Sequence, residues 1–161
     1  MRCALIALLL AALPGVAADD VRLQATSLDG LLKAVNAHKG KVVVIDVWAT
    51  FCVPCKEKFP HMVKLANEFK DKGVVFISVT IDEPEDKDKA LVFLKKNEAW
   101  FENFILEDKD RSEKAGDEKL YHSAPPVVHV FDRDSKLVKT YEGKKQAAAL
   151  DDLLAEMVKK K

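Results

Sequence analysis

"KVVVIDVWATFCVPCKEKFP", residues Lys41 to Pro60, runs a β-branched apolar segment straight into a pair of cysteines and two prolines. Lys41–Ala49 is almost continuously apolar, which predicts a central strand buried on both faces rather than a half-exposed one. The helical spacing of Phe59, Met62, Val63, Ala66 and Phe69 predicts a long helix to about Lys72, with Gly73 as its stop. Cys52 and Cys55 therefore fall where a strand feeds the first turn of a helix. Residues three apart in that turn share a face, close enough for a strained but feasible disulfide. Three readings of the pair are open at this point: a redox centre, a metal clip or a structural staple.

The helix start gives the two cysteines different chemistry. Cys52 lies among backbone N–H groups without helical partners, and these groups together with the macrodipole favour thiolate over thiol. Its pKa is expected below the free value of about 8.5. Cys55, one turn in, is expected to be buried and better protonated. A thiolate at Cys52 could attack a disulfide and form a mixed disulfide, which Cys55 would resolve by closing the Cys52–Cys55 bond. Pro54 suits a first-turn position, where its missing N–H costs nothing. Pro60 falls within the helix and is expected to kink it.

Outward from this segment, Ser27 is a candidate N-cap for a helix bearing Leu28, Leu31, Leu32 and Val35 on one face, ended by Gly40. Val74–Thr80 reads as a second buried strand. A charged loop, "IDEPEDKDK", precedes a helix in "ALVFLKKN", and Phe104–Leu106 as a short strand precedes a polar stretch to His122. "PPVVHVFDRDSKLVKTYEG" reads as two antiparallel strands around an Asp132–Ser135 turn. A last helix, Lys145 to about Lys159, sets Leu150, Leu153, Leu154 and Met157 on one side. The expected architecture is α/β: a mixed central sheet, parallel βαβ plus antiparallel hairpin, with helices on both faces.

The first residues read differently. Arg2, the apolar run Ala4–Leu13, the break at Pro14-Gly15 and small residues at Val16-Ala17-Ala18 form a secretory signal-peptide pattern over 1–18. The run is too short for a membrane span, which needs roughly 20 residues. The expected mature domain is 19–161, without a membrane span, keeping Cys52 and Cys55 as its only cysteines. Its expected location is outside the cytoplasm, periplasmic or otherwise extracytoplasmic, where disulfides persist. With 26 basic and 26 acidic residues among 161, the chain has no basic excess for a nucleic-acid surface.

"VVVIDVWATFCVPCKEKFP" resembles the active-site segment of the thioredoxin superfamily, with its strand, Trp-Ala-x-x-Cys-x-x-Cys-Lys and a proline five residues after the second cysteine. The Trp-Ala-Thr wording, the signal pattern and "SVTIDEPEDKDKALVFLKKN" look most like the TlpA/ResA group of exported thiol-disulfide oxidoreductases. The resemblance implies a thioredoxin-like fold, and an enzyme that reduces disulfides in other proteins and is recharged by a redox partner. It implies no separate cofactor and a monomer. It also implies a buried carboxylate at Asp46 that accepts the Cys55 proton, Trp48 beside the disulfide, and a cis-proline at Pro126 facing the sulfurs.

Two positions depart from that pattern. Where many TlpA/ResA-like sequences carry an acid three places after the second cysteine, Lys58 stands here, expected to be solvated. Pro125, before the presumed cis-Pro126, cannot donate the backbone N–H that would hold an extended substrate. Alternatives in other classes are an oxidase or isomerase of the same fold, and an exported copper-type module using the cysteines with His38, His61, His122 or His129. A structural zinc site usually wants four ligands at motif spacing, and a second cysteine pair is missing.

Overall fold

The computed structural model describes residues 21–107, 124–143 and 147–159. The signal peptide expected over 1–18, His122 and the start of the last helix at Lys145 lie outside them. In chain order the elements are β1 (Gln24–Thr26), α1 (Leu28–Ala37), β2 (Val42–Trp48), α2 (Val53–Phe69), β3 (Val74–Thr80), α3 (Lys87–Lys96), β4 (Glu102–Leu106), β5 (Val127–Phe131), β6 (Leu137–Glu142) and α4 (Ala147–Lys159). One six-stranded sheet runs β1-β4-β3-β2-β5-β6. The β1–β4, β4–β3 and β3–β2 pairs are parallel, whereas β5 runs antiparallel to β2 and β6 to β5. The mixed α/β sheet expected from the sequence is therefore present.

β2 is buried at all seven positions because both of its faces are covered. Val43, Ile45 and Val47 pack with Leu28, Leu31 and Val35 of α1. Val42 and Val44 pack with Met62, Leu65, Ala66 and Phe69 of α2 and with Leu150 and Leu154 of α4. Alternation then places Asp46 and Trp48 on the α2 face. Trp48 meets Phe59 of α2 and Phe93 of α3, with ring centroids 5.2 and 4.9 Å away. α2 and α3 are thus joined over one end of the central strand.

Local signals set the boundaries. Ser27 caps α1, its hydroxyl accepting the Gly30 N–H at 3.1 Å. α2 tightens into a 3-10 turn over Lys70–Lys72 and ends at Gly73, whose φ of 80° is open to glycine without strain. Three elements differ from expectation, one of them β4, which begins at Glu102 rather than Phe104. β1 was not read at all, because three residues carry no periodic signal. α3 begins at Lys87 rather than Ala90, after a 3-10 turn at Pro84–Asp86, so much of the presumed charged loop is helical. Pro60 lies inside α2, which continues on both sides of it.

Candidate active site

β2 ends at Trp48, and a turn closed by Cys52 N–H on the Ala49 carbonyl (3.1 Å) leads into α2. Cys52 is the N-cap of α2, in extended conformation, and its sulfur accepts the Cys55 N–H at 3.2 Å. That sulfur occupies the place of the oxygen that usually caps a helix. Cys52 and Cys55 are joined as a disulfide, with Cα atoms 5.3 Å apart. Cys55 is fully buried and Cys52 keeps 6% of its surface exposed, so approach from solvent is to Cys52. Phe51 and Val53, on either side of Cys52, are 67% and 57% exposed, an apolar rim around the accessible sulfur. Pro54 stands in the first turn of α2, as its missing N–H allows.

Trp48 is fully buried in the cluster that holds both cysteines. The Pro125–Pro126 bond is cis. Since Val127 pairs with Val47, Pro126 comes to the Trp48 end of β2, the end from which the cysteine turn departs. The Pro126 carbonyl accepts the Gly143 N–H at 3.0 Å.

Asp46 is 2% exposed on the α2 face of β2. Its Oδ1 accepts a 2.5 Å hydrogen bond from Lys58 Nζ, and Oδ2 has no hydrogen-bond partner among the described residues. Burial raises the Asp46 pKa above its ordinary value, and the Lys58 ammonium opposes that rise. The expectation that Lys58 is solvated is corrected: its side chain is 10% exposed and ion-paired. At three residues past Cys55 it shares the inward face of α2, and its long stem reaches down to the sheet.

A second carboxylate escaped the sequence reading. Asp82, fully buried after β3, accepts the Thr50 N–H at both oxygens (3.0 and 2.9 Å), the Thr50 hydroxyl (2.6 Å) and the Thr80 hydroxyl (2.5 Å). It fastens the turn that carries Cys52 to the loop after the neighbouring strand. Thr50 and Asp82 are 32 residues apart, so no local pattern announces the contact. The described histidines do not converge on the cysteines. His38 bonds Glu102, His61 bonds Asp151 and His129 bonds Thr140.

The family model described as Redoxin matches residues 13–154. The chain belongs to the Redoxin family. Among curated relatives, a thiol-disulfide oxidoreductase ResA of Bacillus cereus is 30% identical over 133 residues, which are 82% of this chain and 72% of the relative. ResA of Halalkalibacterium halodurans is 47% identical over a shorter span of 58 residues, 36% of this chain and 33% of that relative. Among solved structures, a Chlorobium tepidum protein described as a putative thiol:disulfide interchange protein DsbE is similar at TM-score 0.63 and 26% identity, covering 77% of this chain and 84% of that one. This Redoxin-family chain is a thiol-disulfide oxidoreductase of the ResA/TlpA-like group, with a thioredoxin-like fold and a Cys-x-x-Cys pair.

Proposed function

We propose that the mature protein, residues 19–161, is exported by the 1–18 signal peptide and reduces disulfides in extracytoplasmic proteins as a monomer. The observation that carries this reading is the difference between the two sulfurs. Cys52 caps a helix, receives a backbone N–H and reaches solvent, while Cys55 is sealed beneath it. In the reduced protein, the Cys52 thiolate attacks a substrate disulfide, forming a mixed disulfide and releasing the first substrate sulfur as thiolate. Cys55 gives its proton to Asp46 and attacks Cys52 Sγ. The Cys52–Cys55 bond forms, the bond to substrate breaks, and the second substrate thiolate leaves. The cysteine pair is oxidised by two electrons and the substrate disulfide is reduced by the same two. A dithiol partner then returns the pair to its reduced state.

Trp48 supports the disulfide within their shared cluster, and Pro54 sets the first turn of the helix. Phe51, Val53, Pro125 and Pro126 form the substrate rim. Pro125 has no N–H to offer an extended substrate, so the Pro125 carbonyl and the apolar side chains supply the grip at that point. Within the described residues, no helix is long and apolar enough to cross a membrane.

The reduction potential of the Cys52–Cys55 couple tests the direction of electron flow. The expected value lies near thioredoxin's, about −270 mV, and a value near −120 mV would make the protein an oxidant. N-terminal sequencing of the exported protein tests the leader, with Asp19 expected as the first residue.

A further inference from the structure

We propose that Lys58 is a positioning residue of the resolving step: by pairing with Asp46 it sets the pH range over which that carboxylate can take the Cys55 proton. The inference deepens the proposed function and rests on its reading of Asp46 as proton acceptor.

The geometry begins on α2. Cys55 and Lys58 are three residues apart and share the helix face turned toward the sheet. Lys58 Nζ reaches Asp46 Oδ1 at 2.5 Å, so the carboxylate lies against the sheet-facing side of α2. One oxygen is thus held by the ammonium, and Oδ2, without a hydrogen-bond partner among the described residues, is left as the acceptor. An ammonium with only 10% of its side chain exposed is screened little by solvent, so its charge acts on Asp46 at close to full strength.

The other neighbours of Asp46 do not compete for this role. Its partners in the sheet are Ser78 on β3 and Val128 on β5, both uncharged. The Ser78 hydroxyl is turned to Asn103 at 2.7 Å. α3 faces this end of the sheet through Ala90, Phe93 and Leu94. Lys56 and Glu57 on α2 are exposed, and His61 on α2 pairs with Asp151 on α4 at 2.9 Å. Among the described residues, Lys58 is the charged group that acts on Asp46.

Two opposed forces then fix the working range. Burial favours the neutral carboxyl, the form that cannot accept a second proton. A close ammonium favours the ionised form, typically by one to three pH units on a carboxylate. When Cys55 transfers its proton, Asp46 becomes neutral, and the Cys55 thiolate is consumed in forming the Cys52–Cys55 bond. Asp46 afterwards returns the proton to solvent.

The direct test is carbon-13 NMR of the Asp46 carboxyl against pH in the oxidised protein, where neither cysteine titrates. Asp46→Asn identifies the resonance. In Lys58→Met the midpoint should rise by at least about one pH unit, and Lys58→Arg should stay near wild type. Lys58→Gln gives the same comparison where the methionine variant does not fold. An unchanged midpoint in the folded neutral variant overturns the role given to Lys58. Single-turnover resolution of a preformed mixed disulfide separates this from the parent reading. Its acid limb should move to higher pH in Lys58→Met by the same shift and disappear in Asp46→Asn. If Asp46→Asn keeps the wild-type limb, Asp46 is not the acceptor and the proposal for Lys58 falls with it. If Asp46→Asn removes the limb while Lys58→Met leaves it in place, only the proposal for Lys58 falls.

Discussion

Asp82 makes no contact with either cysteine in the hydrogen bonds described above, yet its carboxylate holds both the backbone and the hydroxyl of Thr50, two residues before Cys52. Asp82→Ala should therefore leave the Thr50 N–H and two hydroxyls without their acceptor in a buried place. The expected cost is about 1–3 kcal/mol for each group that finds no substitute, read by urea unfolding. Unchanged stability would mean that the turn does not depend on this clamp. Cys52 and Cys55 were legible in the sequence because they stand where a strand end meets a helix start, whereas Asp46 and Pro126 entered only through the resemblance to the thioredoxin superfamily. Lys58 and Asp82 were not, because Lys58 meets Asp46 only through the packing of α2 on β2, and Asp82 meets Thr50 only through the pairing of β2 with β3. A lysine between Glu57 and Phe59 looks like the solvated edge of a helix until the sheet beneath supplies a carboxylate.

The elements themselves were mostly written in local chemistry. Ser27 is the clearest case, since its hydroxyl caps α1 through the Gly30 N–H. Ser27→Ala should lower stability by about 1 kcal/mol, measured as a shift in urea midpoint at constant slope. A loss under a few tenths would show that the α1 terminus is held by packing instead. β3 was legible residue for residue, from Val74 to Thr80, because Gly73 opens it and the apolar run fills it. β1 was not legible, since Gln24–Thr26 is a strand only by pairing with β4, 80 residues away in register. The first turn of α3 was hidden by composition. Lys87, Asp88 and Lys89 look like loop, but they form the exposed start of a helix whose inner face begins at Ala90.

Across the whole molecule, the buried Asp46–Lys58 pair is a cost to stability as well as a device. Folding raises the Asp46 pKa above 3.8, chiefly through burial. The sign follows from linkage: the native state holds the proton more tightly, so this contribution is complete below the unfolded value. It is lost as pH rises through the raised native value. Lys58→Met should steepen that loss, because the carboxylate then ionises without its ammonium. Asp46→Leu/Lys58→Met should flatten it and leave the protein equal to wild type or about 1–4 kcal/mol more stable at neutral pH. Unfolding of the oxidised protein across pH 4–8 checks both, and a double variant less stable than either single one would contradict the account. The central claim concerns chemistry rather than stability: exchange passes through Cys52 and is completed by Cys55. It is tested most directly by mixing reduced Cys55→Ser protein with a disulfide substrate and measuring the intact mass. The account predicts a lasting one-to-one adduct, mapped by peptide digestion to Cys52 and absent from the Cys52→Ser protein. Failure of reduced Cys55→Ser to form that adduct, or an adduct formed equally well at Cys55 in the Cys52→Ser protein, would contradict it.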